Sequence, residues 1–132
     1  MGQGPNYVLN KGYVAGGSTA FKLGEVVTLD GDQLVNRAVT ADDTPVIGIC
    51  TEDVDATKVA TGKVVVGVAV HGICKAIAGA AITRGAKLTN DTSARVVTQA
   101  GAAGSAVHAV ALESASAAGE LIDVLLTPFN TK

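Results

Sequence analysis

Tryptophan is absent from this sequence, and two Phe and two Tyr are the only aromatic residues among 132. A chain that is 48% hydrophobic and 3% aromatic must fill its interior with Val, Ile, Leu and Ala. So few rings also leave no stacking platform for bases or sugars. Charge is scarce as well, at 17% of residues. The net charge is −2 and the ten basic residues are scattered, so nucleic acid is not expected as a partner. The surface must then be rich in Thr, Ser, Ala and Gly. That suits either partial cover by partner subunits or a mildly polar monomer.

Long apolar runs are missing too. The longest, VVVGVAVHGIC (64–74), is about half a bilayer span and contains a histidine, so no membrane contact is expected. The opening MGQGPNYVLN has no basic start followed by an apolar run, and no signal peptide is read there. A soluble product made in a reducing cytoplasm is the expectation. The two cysteines, Cys50 and Cys74, form neither a CxxC nor a zinc pattern, and they are expected to be free, buried thiols.

What the chain does contain is strand chemistry. The segments EVVTL (25–29), QLVNRAV (33–39), VIGICTE (46–52), KVVVGVAVHGICKA (63–76), AKLTN (86–90), RVVTQA (95–100), VHAVALES (107–114) and LIDVLLT (121–127) are rich in β-branched residues. Turn residues separate them, as in DGD (30–32), ADDTP (41–45) and NDTSA (90–94). One short helix is expected at KAIAGAAIT (75–83), where Ala and Ile recur at helical spacing, although Gly79 weakens it. Residues 1–20 have no helical period and read as an extended N-terminal arm, with the apolar Tyr7, Val8 and Leu9 suited to docking. Residues 21–132 read as a single β domain.

That domain repeats itself. An offset of 61 lays Gly24 on Gly85, Val27 on Leu88, Thr28 on Thr89 and Glu52 on Glu113. Beyond this the second half is four residues shorter, and an offset of 57 lays Gly62 on Gly119. The halves run over about 21–70 and 82–128. The fold class is therefore mostly β: a small pseudo-duplicated β-barrel or β-clip-like domain of short strands, with one short helix and the extended arm.

Candidate chemistry is thin. His71 and Cys74 lie three apart, and on one extended strand an odd separation points them to opposite faces. A thiolate–imidazole pair needs contact, which would require a bulge at Gly72. His108 falls where the first half has Ile47. Asp42, Asp43, Glu52, Asp53 and Asp55 would suit a hard cation, but no EF-hand spacing is present and Asp favours turns anyway. The segment AIAGAAITRGAKL has neither a P-loop nor a GxGxxG pattern. No catalytic residue, cofactor or metal is assigned, and an enzyme is not expected.

The segments NYVLNKGYV, LGEVVTLDG, PVIGICTEDV, VHGICKAIAGAAITRGAKL (70–88) and ALESASAAGELIDVLL (111–126) resemble the head decoration, or capsid cement, proteins of tailed bacteriophages. The resemblance implies a structural protein on the outer capsid surface of the virion. It implies the major capsid protein as partner, a homotrimer, and reinforcement of capsomer junctions. Arm residues Asn6, Tyr7, Val8 and Leu9 are the expected capsid or subunit contacts. The alternative is a small binding module, such as a lipoyl- or biotinyl-type β carrier domain. Its hairpin tips would be LDGDQL and TNDTSA, and neither has the Lys that such carriers modify.

Overall fold

In the structure, a computed structural model, residues 9–30, 34–43 and 45–132 are described, with backbone alone for Pro128 and Phe129. The described residues form two successive copies of one five-strand design. The first unit contains β1 (Leu9–Ala15), β2 (Val26–Asp30), β3 (Leu34–Arg37), β4 (Val46–Cys50), the short helix α1 (Ala56–Val59) and β5 (Val65–His71). The second contains β6 (Ile73–Ile77), β7 (Lys87–Asn90), β8 (Val96–Thr98), β9 (Ala106–Ala111) and β10 (Leu121–Thr131). The expected mostly β, duplicated architecture is what the chain adopts. No helix among the described residues is long and apolar enough to cross a membrane.

The first unit closes as a barrel in the order β1-β3-β2-β4-β5. The second keeps the same cyclic order as a sheet, β6-β10-β9-β7-β8, whose ends meet through one parallel bridge, Ala78 to Val96. The copies agree residue by residue. Val27 lies opposite Arg37 and Leu88 opposite Thr98. Val26 faces Ile49, and Lys87 faces Val110. The isolated bridge Phe21–Val54 recurs as Ile82–Ala115. All of these pairs are 61 positions apart. In the last strand of each unit the offset is 56, because Cys50 faces Val68 and Ala111 faces Val124. The offset of 57 holds at Gly62 and Gly119, both at positive φ, but is lost one step later, where Lys63 has no counterpart. The extra residues of the first unit are those of α1, whose Val59 is fully buried.

The correspondence begins earlier than the sequence suggested. Val66 faces Tyr13 as Ile122 faces Ala76, which makes β1 the counterpart of β6. Residues 9–15, expected within the arm, thus form a strand hydrogen-bonded along β5 and against β3 of the same chain.

Two apolar interiors follow from the two units. In the first, Ala15, Phe21, Val27, Val35, Cys50, Val54, Val66 and Val68 are buried together. The equivalent positions of the second hold Ala78, Ile82, Leu88, Val96, Ala111, Ala115, Ile122 and Val124, again in one cluster. Side chains of this size suit a narrow barrel, where alternate strand residues must meet near the axis.

Two expectations are corrected. Residues 75–83 form no helix: Lys75–Ile77 continue β6 opposite Leu121–Asp123, and Ala78 and Ile82 make bridges. Ala76 and Ala78 are fully buried, so alanine is there because space is short, and ladder hydrogen bonds override its helical propensity. The helix falls instead at Ala56–Val59. Nor is 63–76 one continuous strand. Gly72, at φ 101, breaks it, sending β5 into the first unit and β6 into the second. A residue with a Cβ would be strained in that conformation.

Phe21 is 1% exposed at the centre of the first interior. Phe21→Ala is expected to cost about 3–5 kcal/mol, and Ile82→Val at the equivalent position about 0.5–1.5 kcal/mol. Urea unfolding followed by far-UV circular dichroism measures both. Equal, small losses would be incompatible with the described interiors.

Candidate functional site

The break at Gly72 settles the histidine–cysteine question. His71 is exposed at the end of β5, opposite Leu9. Cys74 sits on β6 opposite Val124 and packs against the second unit's interior. Burial, with Asp123 nearby, pushes the Cys74 thiol up to about 12. Burial likewise raises Cys50 to about 11, partly opposed by the Glu52 backbone, and the protonated Sγ donates to the Glu52 carbonyl at 2.9 Å. Both cysteines are free thiols; Cys50 is buried as expected, whereas Cys74 is half-buried.

Two of the acidic side chains, Asp53 and Asp42, accept hydrogen bonds in loop and seam contacts. Asp53 accepts the Leu23 amide at 2.8 Å. Asp42 accepts from Gln99 Nε2 at 2.9 Å. The Asp43 amide donates to Asn90 Oδ1 at 3.0 Å. Among the described residues, no three His, Cys, Asp or Glu side chains are grouped to hold a metal ion.

The most organised polar region joins the two units. Asn90, 1% exposed, donates through Nδ2 to the carbonyls of Ala38 at 3.1 Å and Thr40 at 2.7 Å. It therefore ties the 38–43 loop of the first unit to the second. His108 lies beneath that loop, with Nε2 3.0 Å from Asn90 Oδ1 and 3.5 Å from Thr89 Oγ1. Because Asn90 presents its oxygen, the neutral His108 ring donates from Nε2. Desolvation lowers the His108 pKa, partly countered by the charges of Asp42 and Asp43. His108 stands where the first unit has Ile47, a position that by itself assigns it no such role. Its signal was a polar residue at a position whose repeat counterpart is apolar.

A second polar contact lies along the same seam. Glu25 is buried and accepts from Arg37 Nε at 2.9 Å and Nη2 at 2.6 Å, and from the Lys22 amide at 2.7 Å. Nearby, the Val26 amide donates to the Ala94 carbonyl at 2.7 Å and the Ile77 amide to the Gly24 carbonyl at 3.0 Å. Ala94 holds a positive φ of 60, a costly conformation for alanine, while delivering that carbonyl. Beside the seam is a shallow depression of about 330 Å³ with Asp42, Thr89, Asn90, Thr98 and Gln99 among its lining.

Of the expected contact residues, Asn6, Tyr7 and Val8 lie outside the described residues. Leu9 opens β1 and is 62% exposed. Several other large aliphatic residues are also exposed, including Leu29, Val65, Ile73, Leu121 and Leu125. The molecule thus presents exposed apolar side chains, and its most organised polar groups serve the seam between its units.

Two outcomes follow from the titratable groups. The unfolded chain binds a proton at His108 more readily than the folded chain, so stability should be full above about pH 6.5 and fall as pH drops toward the lowered folded value. His108→Gln should flatten that part of the stability–pH curve, read by urea unfolding between pH 7.5 and pH 5. For the thiols, a thiolate fraction of roughly one in a thousand or less at pH 8 follows from the raised values. Iodoacetamide should alkylate the native chain far more slowly than the urea-unfolded chain, and mass spectrometry would reveal rapid native modification if Cys74 were activated.

No protein-family model matches the chain, and no curated protein matches it in sequence. A solved structure does match. The head fibre gp8.5 N base of bacteriophage phi29 is similar with a TM-score of 0.66 at 20% identity, covering 92% of this chain and 95% of that one. The fold of this chain is therefore similar, over nearly the whole length of both, to that of a phage head-fibre base.

Proposed function

We propose that this chain is a structural protein of a phage head, a decoration or cement protein that binds the outer capsid surface and stabilises the shell. The observation that carries the reading is the match to a head-fibre base across both units, which leaves little of either chain unaccounted for. The surface chemistry supports it. Large aliphatic side chains are exposed, the buried polar groups hold the two units together, and the thiols are held protonated. A non-enzymatic role, the virion as location, the major capsid protein as partner and a homotrimeric state belong to this same reading. Repetition on a lattice lets many modest contacts act together, so each need not be strong.

Within the reading, residues 1–20 supply the arm and Asn6, Tyr7, Val8 and Leu9 its contacts. Residues 9–15 anchor that arm by pairing with β5, so residues 1–8 are the part to remove in a test.

Co-sedimentation with purified heads that lack the protein tests the proposal. The full chain is expected to bind saturably and to raise the temperature at which heads disrupt. A chain lacking residues 1–8 is expected to bind at least about tenfold more weakly, equivalent to about 1.4 kcal/mol. Absence of binding by the full chain would overturn the capsid reading, and unchanged affinity of the shortened chain would remove the arm from it.

A further inference from the structure

The two units share their strand register but not their surroundings. In the first unit, Val26, Ile49 and Ala69 form one row across β2, β4 and β5, each directly opposite the next. They alternate with the interior residues Val27, Cys50 and Val68, so the row points out of the barrel. It is nevertheless at most 2% exposed, because it joins the apolar cluster of the second unit. The second unit covers it with a rim near Ile77, Asn90, Ala94 and Leu121. Ile77 and Leu121 lie against Gly24, whose carbonyl accepts the Ile77 amide.

The equivalent row of the second unit is Lys87, Val110 and Leu125, continued on β6 by Ile73. Here Leu125 is 40% and Ile73 37% exposed, and Val110 is only half-buried. At Gly85, the counterpart of Gly24, the space that Ile77 and Leu121 fill in the first unit is open. The loop 38–43 covers the neighbouring Thr89 and His108 but leaves this row uncovered. The first unit in turn carries the counterparts of the covering rim. Val14, Val65 and Leu29 correspond to Ile77, Leu121 and Asn90; Leu29 is 46% exposed against 1% for Asn90, while Val65 at 54% and Leu121 at 47% both stand at the rim's edge.

We infer that a second copy of this chain covers the second unit's row, with the Val65–Leu29 rim of its first unit seated over Ile73, Val110, Leu125 and Gly85. The contact repeats between chains the seam already formed within one chain. The occupant is a second copy because the matching rim is part of this fold, and its uncovered form lies on the first unit. Four of the large exposed aliphatic residues, Leu29, Val65, Ile73 and Leu125, fall on the two faces that the repeat assigns to each other. The contact is head-to-tail, so it closes into a ring or grows as a filament. The inference deepens the self-association within the proposed function by naming its interface.

Sedimentation velocity on the full chain, on Leu125→Asp and on Val65→Asp tests it. Both positions are exposed, and circular dichroism with thermal unfolding verifies that each variant folds. The unaltered chain is expected to assemble, and each variant to lose at least about tenfold in association. Each variant keeps one intact face, so an equimolar mixture is expected to form a dimer and nothing larger. A monomeric unaltered chain, or variants that assemble like it, would overturn the inference. Should a variant fail to fold, Leu125→Thr and Val65→Thr provide the same comparison in strand-compatible form. Head binding is scored separately on the same samples. Heads bound by chains whose assembly ignores both substitutions would remove the interface and leave the capsid reading. Assembly through these faces without head binding would do the reverse.

Discussion

The outward row of the first unit, Val26, Ile49 and Ala69, has to be kept from water, and the arrangement of the molecule depends on how this is done. Apolar side chains on the outside of a small barrel gain nothing from its interior. Burying Val26 and Ile49 contributes roughly 1.5–3 kcal/mol each, which the second unit supplies by lying against the row. That contact is not directional, so polar groups set its orientation. Asn90 holds the carbonyls of Ala38 and Thr40, and Ala94 accepts the Val26 amide. Glu25 is kept beside the seam by two bonds from Arg37 and one from the Lys22 amide. Buried groups satisfied in this way fix a unique register, whereas the same groups left unpaired would each cost about 1–3 kcal/mol.

Scarcity of aromatic residues has a related physical source. At equivalent positions the first interior is built from Ala, Val, Cys and a single Phe, and the second from Ala, Val, Ile and Leu. Where the first unit has Phe21 the second has Ile82, and where the first has Ala15 the second has Ala78. Opposed strands in barrels this small approach too closely for rings on several strands at once. Alanine at 76 and 78 serves this geometry, and there the sequence misled: a local run of good helix formers signalled helix, whereas tertiary spacing demanded small side chains in a strand.

The strands and the duplication were legible because turn chemistry is local and strongly constrained. Gly24 and Gly85, and Gly62 and Gly119, all hold positive φ, and these glycines betrayed the repeat in spite of low identity. β1 was harder to place, since its pairing with β5 joins residues far apart in sequence and its counterpart β6 was hidden inside an apparently continuous strand. One glycine, Gly72, separates the units, and in a β-branched run that also contains Gly67 it carries no signal that distinguishes a bulge from a boundary. Of the candidate site, the separation of His71 from Cys74 was expected from alternation along one strand, whereas the structure separates them by the break at Gly72, which puts them on strands of different units. The role of His108 was not expected, because the loop that buries it arrives from the other unit.

Duplication inside one chain also explains why the units have diverged where they have. Tethering places the second unit beside the first at high effective concentration, so that seam forms whatever the solution concentration. Once it forms, the two copies of any outward residue no longer share an environment. Val26 is sealed, whereas its counterpart Lys87 is free to carry charge; Ile47 borders the first interior, whereas His108 meets a polar loop. Charge at Lys87 moderates the apolar row without removing it, since Val110, Leu125 and Ile73 remain on the same face. Exposed aliphatic residues promote association, so this row is the part of the second unit most prone to contact with another surface. A lysine beside them keeps the row soluble, as the proposed interface between copies would require before it assembles.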